Sequence, residues 1–199
     1  MMQSKRLIPT QPVRGFALIE ILVSLVILLF GLLGLVGISS RANISELEAQ
    51  QRVQALALLQ DMADRINANR AVASCYSVGA TGITVGSGYT GTPTCTTGNA
   101  QEQTRAVADL KAWDGMLKGS AESQSTTKVG AMIGAVGCIT QDDALNNIYL
   151  IAVSWQGLAQ TAAPVLADGA TAFPCGSGLY GNEKLHRVLT TKVRIGKLT

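Results

Sequence analysis

The sequence predicts an α+β fold, a long N-terminal helix packed on a small antiparallel β-sheet, and three observations carry that prediction. Phe16 to Ile38 is a run of 23 residues with one charge, Glu20, and one hydroxyl, Ser24. Past a polar patch at Ser39–Glu46, the residues Ala55, Leu56, Leu59, Met62, Ala63 and Ile66 recur at the three- and four-residue spacing of a one-sided helix. The last part of the chain holds strand-like runs, Val129–Ile139, Ile148–Trp155 and Arg187–Ile195, the last alternating cleanly.

The helix comes first. At 1.5 Å per residue, 23 residues span roughly 35 Å, enough for a bilayer core of about 30 Å. Gln54, Gln60, Asp61, Asp64 and Arg65 fill much of the side opposite the later apolar stripe, and no proline interrupts from Val13 to Thr92. The helix is expected to end near Asn69–Ala73, before the Gly-rich segment Val78–Gly91. Gly31, Gly34 and Gly37 are spaced by three, so they do not form a G-x-x-x-G dimer motif.

Charge is distributed unevenly. Lys5, Arg6 and Arg14 precede the apolar run with no acid among them, and the remaining 184 residues hold 13 Lys/Arg and 13 Asp/Glu. The formal net charge of +3 therefore sits wholly in the first fifteen residues. No basic stripe follows, so no nucleic-acid partner is expected. The mean hydropathy of +0.27 is high for a soluble protein and comes largely from the apolar run.

A secretory signal has a short apolar stretch followed by a small-residue cleavage site. Here the stretch is longer and continues as Gly37-Ile38-Ser39-Ser40-Arg41. Basic residues on its short leading side predict a cytoplasmic N-terminus, with the rest of the chain outside. A carboxylate inside an apolar helix costs up to roughly 2.5–3.5 kcal/mol near a bilayer centre, so Glu20 is expected to seek a cation.

Beyond the helix, Tyr76–Gly98 reads as a loop and Gln103–Lys118 as a short helix with Val107, Leu110, Trp113 and Leu117 on one face. Ser120–Lys128 is polar, and Gln156–Gly181 is a long loop holding Pro164, Pro174 and Cys175. Cys75, Cys95, Cys138 and Cys175 include no C-x-x-C pair, so zinc spacing is absent. Cysteines beyond a membrane segment point to an oxidising compartment and two disulfides. Three pairings are open; Cys75–Cys95 with Cys138–Cys175 is favoured because it interleaves no loops. Catalysis, metal and cofactor are not expected. His186 has no catalytic motif around it, Asp142-Asp143 fits a turn rather than a calcium loop, and Trp113 and Trp155 fit a core.

The junction Arg14-Gly15-Phe16-Ala17-Leu18-Ile19-Glu20 resembles the type IV prepilin motif, with Ala17 where Thr is usual. The resemblance implies that a prepilin peptidase cuts between Gly15 and Phe16 and N-methylates Phe16. It also implies that Glu20 forms an assembly salt bridge with the new amine of Phe16. Where major pilins carry a helix-breaking proline, this chain has Gly37, which fits either a segment able to stretch when packed in a filament or the ordinary tolerance of membrane helices for glycine.

The helix stretch from Gln54 to Ile66 with Asn69, then Val153-Ser154-Trp155-Gln156-Gly157, Pro174-Cys175 and Arg187-Val188, resembles the PilV family of minor pilins, the type IV pilus modification proteins. The I-type pseudopilin of type II secretion is the alternative. The resemblance implies the ladle-shaped type IV pilin fold. It divides the chain into a removed leader 1–15, a transmembrane and filament-core helix 16–38, an amphipathic half 39–73 and a periplasmic α+β head 74–199. It further implies a subunit of the bacterial inner membrane, and then of the pilus, that primes filament assembly. Its partners would be other minor pilins, the major pilin and a large tip adhesin.

Overall fold

The computed structural model describes residues 18–78, 81–120, 123–124, 127–128 and 132–196. The chain divides between Asn43 and Ile44. The first helix, α1, Leu18–Ala68, is a single helix of 51 residues that runs through both parts.

From residue 18 to 43, α1 is exposed on every side. It stays helical through Gly31, Gly34 and Gly37, and nothing lies within 4 Å of where a Cβ on any of them would stand. Leu, Ile and Val occupy all faces, so intrahelical hydrogen bonds satisfy the backbone while the side chains stay exposed among the described residues.

From Ile44 onward the helix becomes one-sided. Ala55, Leu59, Met62 and Ile66 are buried at helical spacing, while Leu56 is 52% exposed. Leu56 thus corrects the expected stripe: it lies one residue past Ala55, about 100° round the helix. Asn69 ends α1, its amide bonding to the carbonyls of Arg65 and Ile66. A 3-10 stretch, Arg70–Tyr76, follows and carries Val72, Ala73, Cys75 and Tyr76 into the core.

Next come β1 (Ile83–Gly86) and α2 (Ala100–Leu117). A short ladder pairs β2 (Ser123–Gln124) with β3 (Thr127–Lys128). The main strands are β4 (Val136–Asp143), β5 (Ile148–Gln156) and β6 (His186–Arg194). The sheet order is β1-β4-β5-β6, antiparallel throughout. Ile139 sits opposite Ile151, and Ile151 opposite Thr191, which aligns one apolar face. That face packs with α2 and the 55–66 stripe around Trp113, Met62, Ile66, Leu110, Ile139, Ile151 and Val153.

Three expectations are corrected here. The loop 76–98 contains β1, which pairs along β4. The first long strand begins at Val136 rather than 129 and runs on to Asp143, because Gly134 turns the chain with φ +61 and the polar residues past Thr140 still pair with β5. The second helix starts at Ala100, because Asn99 and Glu102 form a reciprocal capping box with bonds of 2.9 and 2.8 Å.

Gly137 explains why a glycine interrupts a buried strand. A Cβ there would collide with the Trp113 ring and with Leu117. Its absence lets α2 approach the sheet closely enough for Trp113 to be wholly buried. The Trp113 indole then donates to the Leu58 carbonyl at 3.0 Å and ties α2 to α1.

Candidate functional site

The first candidate site lies at the start of α1. Glu20 stands in the first turn, exposed, with no other charge between it and Ile38. The Ser24 hydroxyl donates to the Glu20 backbone carbonyl at 2.7 Å, so the one other polar side chain of the run has its donor satisfied within the helix. Gly15 and Phe16, the expected cleavage and methylation positions, lie outside the described residues. One helix long and apolar enough to cross a membrane is present among the described residues, and it is α1.

The cysteines are joined in two pairs. Cys75 and Cys95 have Cα atoms 5.0 Å apart, and Cys138 and Cys175 5.9 Å. The first bond fastens the 3-10 stretch to the segment before α2. The second fastens β4 to the long segment between β5 and β6.

Polar ties organise the rest. Asp109 is buried on α2 and accepts from Arg65 at 2.8 Å and from the Tyr76 hydroxyl at 2.6 Å. Arg65 also donates to Asp61 at 2.7 Å, and Asn69 reaches the Tyr76 hydroxyl and the Glu102 carbonyl. Burial pushes the Tyr76 hydroxyl far above its usual range, and the Asp109 bond adds to the shift. These bonds join the end of α1, the 3-10 stretch and α2.

A second tie was not visible in the sequence. Glu48 Oε1 accepts from the amides of Leu158 and Ala159, each at 3.0 Å, and from Arg187 Nη2 at 3.1 Å. Burial raises the Glu48 pKa, but the Ala159 amide, the Arg187 charge and the Leu158 amide outweigh it and hold the carboxyl below its usual range. Arg187 donates as well to the carbonyls of Lys184 and Ala159.

The other candidates have structural partners. His186 is buried, with Nδ1 2.8 Å from Glu183 Oε2 and Nε2 2.9 Å from the Cys175 carbonyl. The Gly178 amide, and after it His186, hold the Glu183 carboxyl below its usual range. Asp143 accepts from the amides of Leu145 and Asn146 and closes the β4–β5 turn, while Asp142 pairs with Lys192 at 2.7 Å. Trp113 and Trp155 are both buried. Among the described residues no group of three His, Cys, Asp or Glu side chains is placed to hold a metal ion.

Two family models match the chain. The prokaryotic N-terminal methylation motif covers residues 11–36, and the type IV pilin Tt1218 model covers residues 38–111. The first spans the Gly15–Phe16 junction and the exposed apolar run. The second spans the one-sided half of α1, the 3-10 stretch, β1 and most of α2. Neither a curated protein nor a solved structure matches the chain. The motif implies processing by prepilin peptidase and assembly with other pilins, and the apolar helix fits a membrane-anchored subunit. With a methylation motif at its start and a pilin-family segment just behind it, on a long helix followed by a small antiparallel sheet, the chain is similar to the type IV pilins, a family of structural proteins and not of enzymes.

Proposed function

We propose that the chain is a minor pilin of the PilV type. Prepilin peptidase cuts between Gly15 and Phe16 at the cytoplasmic face of the inner membrane and methylates the new amine of Phe16. Residues 16–38 then hold the subunit in the membrane, the helix continues as far as Ala68, and 74–199 form a periplasmic head. The subunit joins other minor pilins and the major pilin, primes filament assembly and helps to hold a large adhesin at the tip.

The observation that supports this most is the run from Leu18 to Ile38, apolar and exposed all round, with one carboxylate in its first turn. Such a surface needs lipid or other apolar helices around it. A lone carboxylate close to a new amine supplies the charge pair that assembly between such helices requires. The I-type pseudopilin of type II secretion shares the motif and the helix. The stretch Val153–Gly157 with Pro174-Cys175 and Arg187-Val188 favours PilV.

Processing is the test. Gly15→Val is expected to leave a membrane-inserted precursor that keeps residues 1–15, seen by intact mass and N-terminal sequencing. A mature-sized, N-methylated product from that variant would overturn the reading.

A further inference from the structure

Glu48 and Arg187 make a contact that the pilin reading does not use. The first fully buried residue of α1 is Ala55, two turns beyond Glu48. Between 44 and 54 every side chain is exposed or half-buried. On the other side, residues 158–172 are exposed apart from a half-buried Pro164. That segment is organised from within. Asp168 accepts from the Ala170 and Thr171 amides, Val165 bridges Ala172, and the Leu166 amide bonds to the Thr171 carbonyl at 2.7 Å. Neither partner has apolar anchorage where the two meet, so three hydrogen bonds to a single carboxylate oxygen hold them together.

We infer that Glu48, Arg187 and the Leu158–Ala159 amides form a releasable clasp, which opens the 44–54 turns of α1 from the base of the 158–172 segment without opening the core. Two features make the open arrangement accessible. The Glu48 and Arg187 side chains are 27% and 11% exposed, so water reaches the carboxylate as it leaves. Arg187 keeps the carbonyls of Lys184 and Ala159 as acceptors after Glu48 has gone, so no buried cation is orphaned. Beneath the clasp, Ala49, Val53 and Leu56 line a groove with Trp155. Opening therefore widens this groove beside Trp155, while the base of the exposed segment stays tied to Arg187 and, through the Thr161 amide, to the Lys184 carbonyl. The clasp is a local two-state element that links α1 to a loop 110 positions later in the chain. It does not depend on the filament role.

Hydrogen exchange on the full chain in detergent micelles tests this. In Glu48→Ala the amides of Leu158 and Ala159 are expected to exchange about tenfold faster, as for loss of a charge-assisted bond, while those of Ile151 and Val153 in β5 stay unchanged. Glu48→Gln, which keeps an acceptor and loses the charge, is expected to fall between the two. Unchanged exchange at Leu158 and Ala159 in Glu48→Ala would overturn the clasp. Equal loss of protection in β5 would overturn it too, because the contact would then belong to the cooperative core.

Discussion

At the scale of single residues, Glu20 and Glu48 show how differently two carboxylates on one helix are placed. Glu20 stands alone in an apolar surface, where an unpaired charge costs up to roughly 2.5–3.5 kcal/mol at a bilayer centre. Near a membrane edge it can reach the headgroups, so insertion and cleavage need not depend on it. Among packed helices it cannot, and under the proposed function it pairs there with the Phe16 amine, a pairing that would set the axial register. Glu20→Ala is therefore expected to be inserted and cut at Gly15, yet to be lost from complexes with co-expressed minor pilins and from sheared filaments. Normal recovery of that variant in both would reduce Glu20 to a tolerated interfacial residue. Glu20 was legible in the sequence because it interrupts an apolar run. Glu48 was not, because it sits among polar neighbours, and two of its three partners are backbone amides whose position only the fold determines.

At the scale of elements, the contact of α2 with β4 is a close one. Gly137 faces Trp113 and Leu117, and a methyl group there has no room. Gly137→Ala is expected to cost about 1–3 kcal/mol by overpacking, read as a shift in a denaturant titration of the full chain in detergent. Trp113→Phe in that background is expected to recover part of the loss, and no loss in Gly137→Ala would show that α2 can simply shift. The helices and the strands β5 and β6 were legible because their apolar periods are regular. β1 was not, since four residues, Ile83–Gly86, are too few to show a period. The start of β4 was misplaced because Gly134 and Gly137 look alike in sequence, although one turns the chain and the other admits a tryptophan ring. The start of α2 was available in Asn99 and Glu102, whose three-residue spacing is that of a capping box.

At the scale of the molecule, two disulfides divide the head between them. Cys75–Cys95 closes a separation of 20 residues and Cys138–Cys175 one of 37. In the chain-entropy model each is worth roughly 3–4 kcal/mol, slightly more for the longer loop. Replacing either pair with alanine is expected to lower stability by about that much, with the larger loss for Cys138 and Cys175. Peptide mapping without reductant is expected to return these two pairs and no others. Full stability without either bond would show that the buried core alone sustains the head.

The ties along α1 also have a mechanical consequence. A pull carried by α1 into residues 44–68 meets the head in stages: the Glu48 carboxylate, then the Leu58 carbonyl held by Trp113, then Arg65 held by Asp109. The first stage engages β6 and the other two engage α2, through its last turns and then its middle. The apolar residues Ala55, Leu59 and Met62 lie between the outer two and resist sliding along the sheet. Tension is thereby divided among side-chain bonds placed in succession along the helix, and the covalent Cys75–Cys95 bond stands behind them.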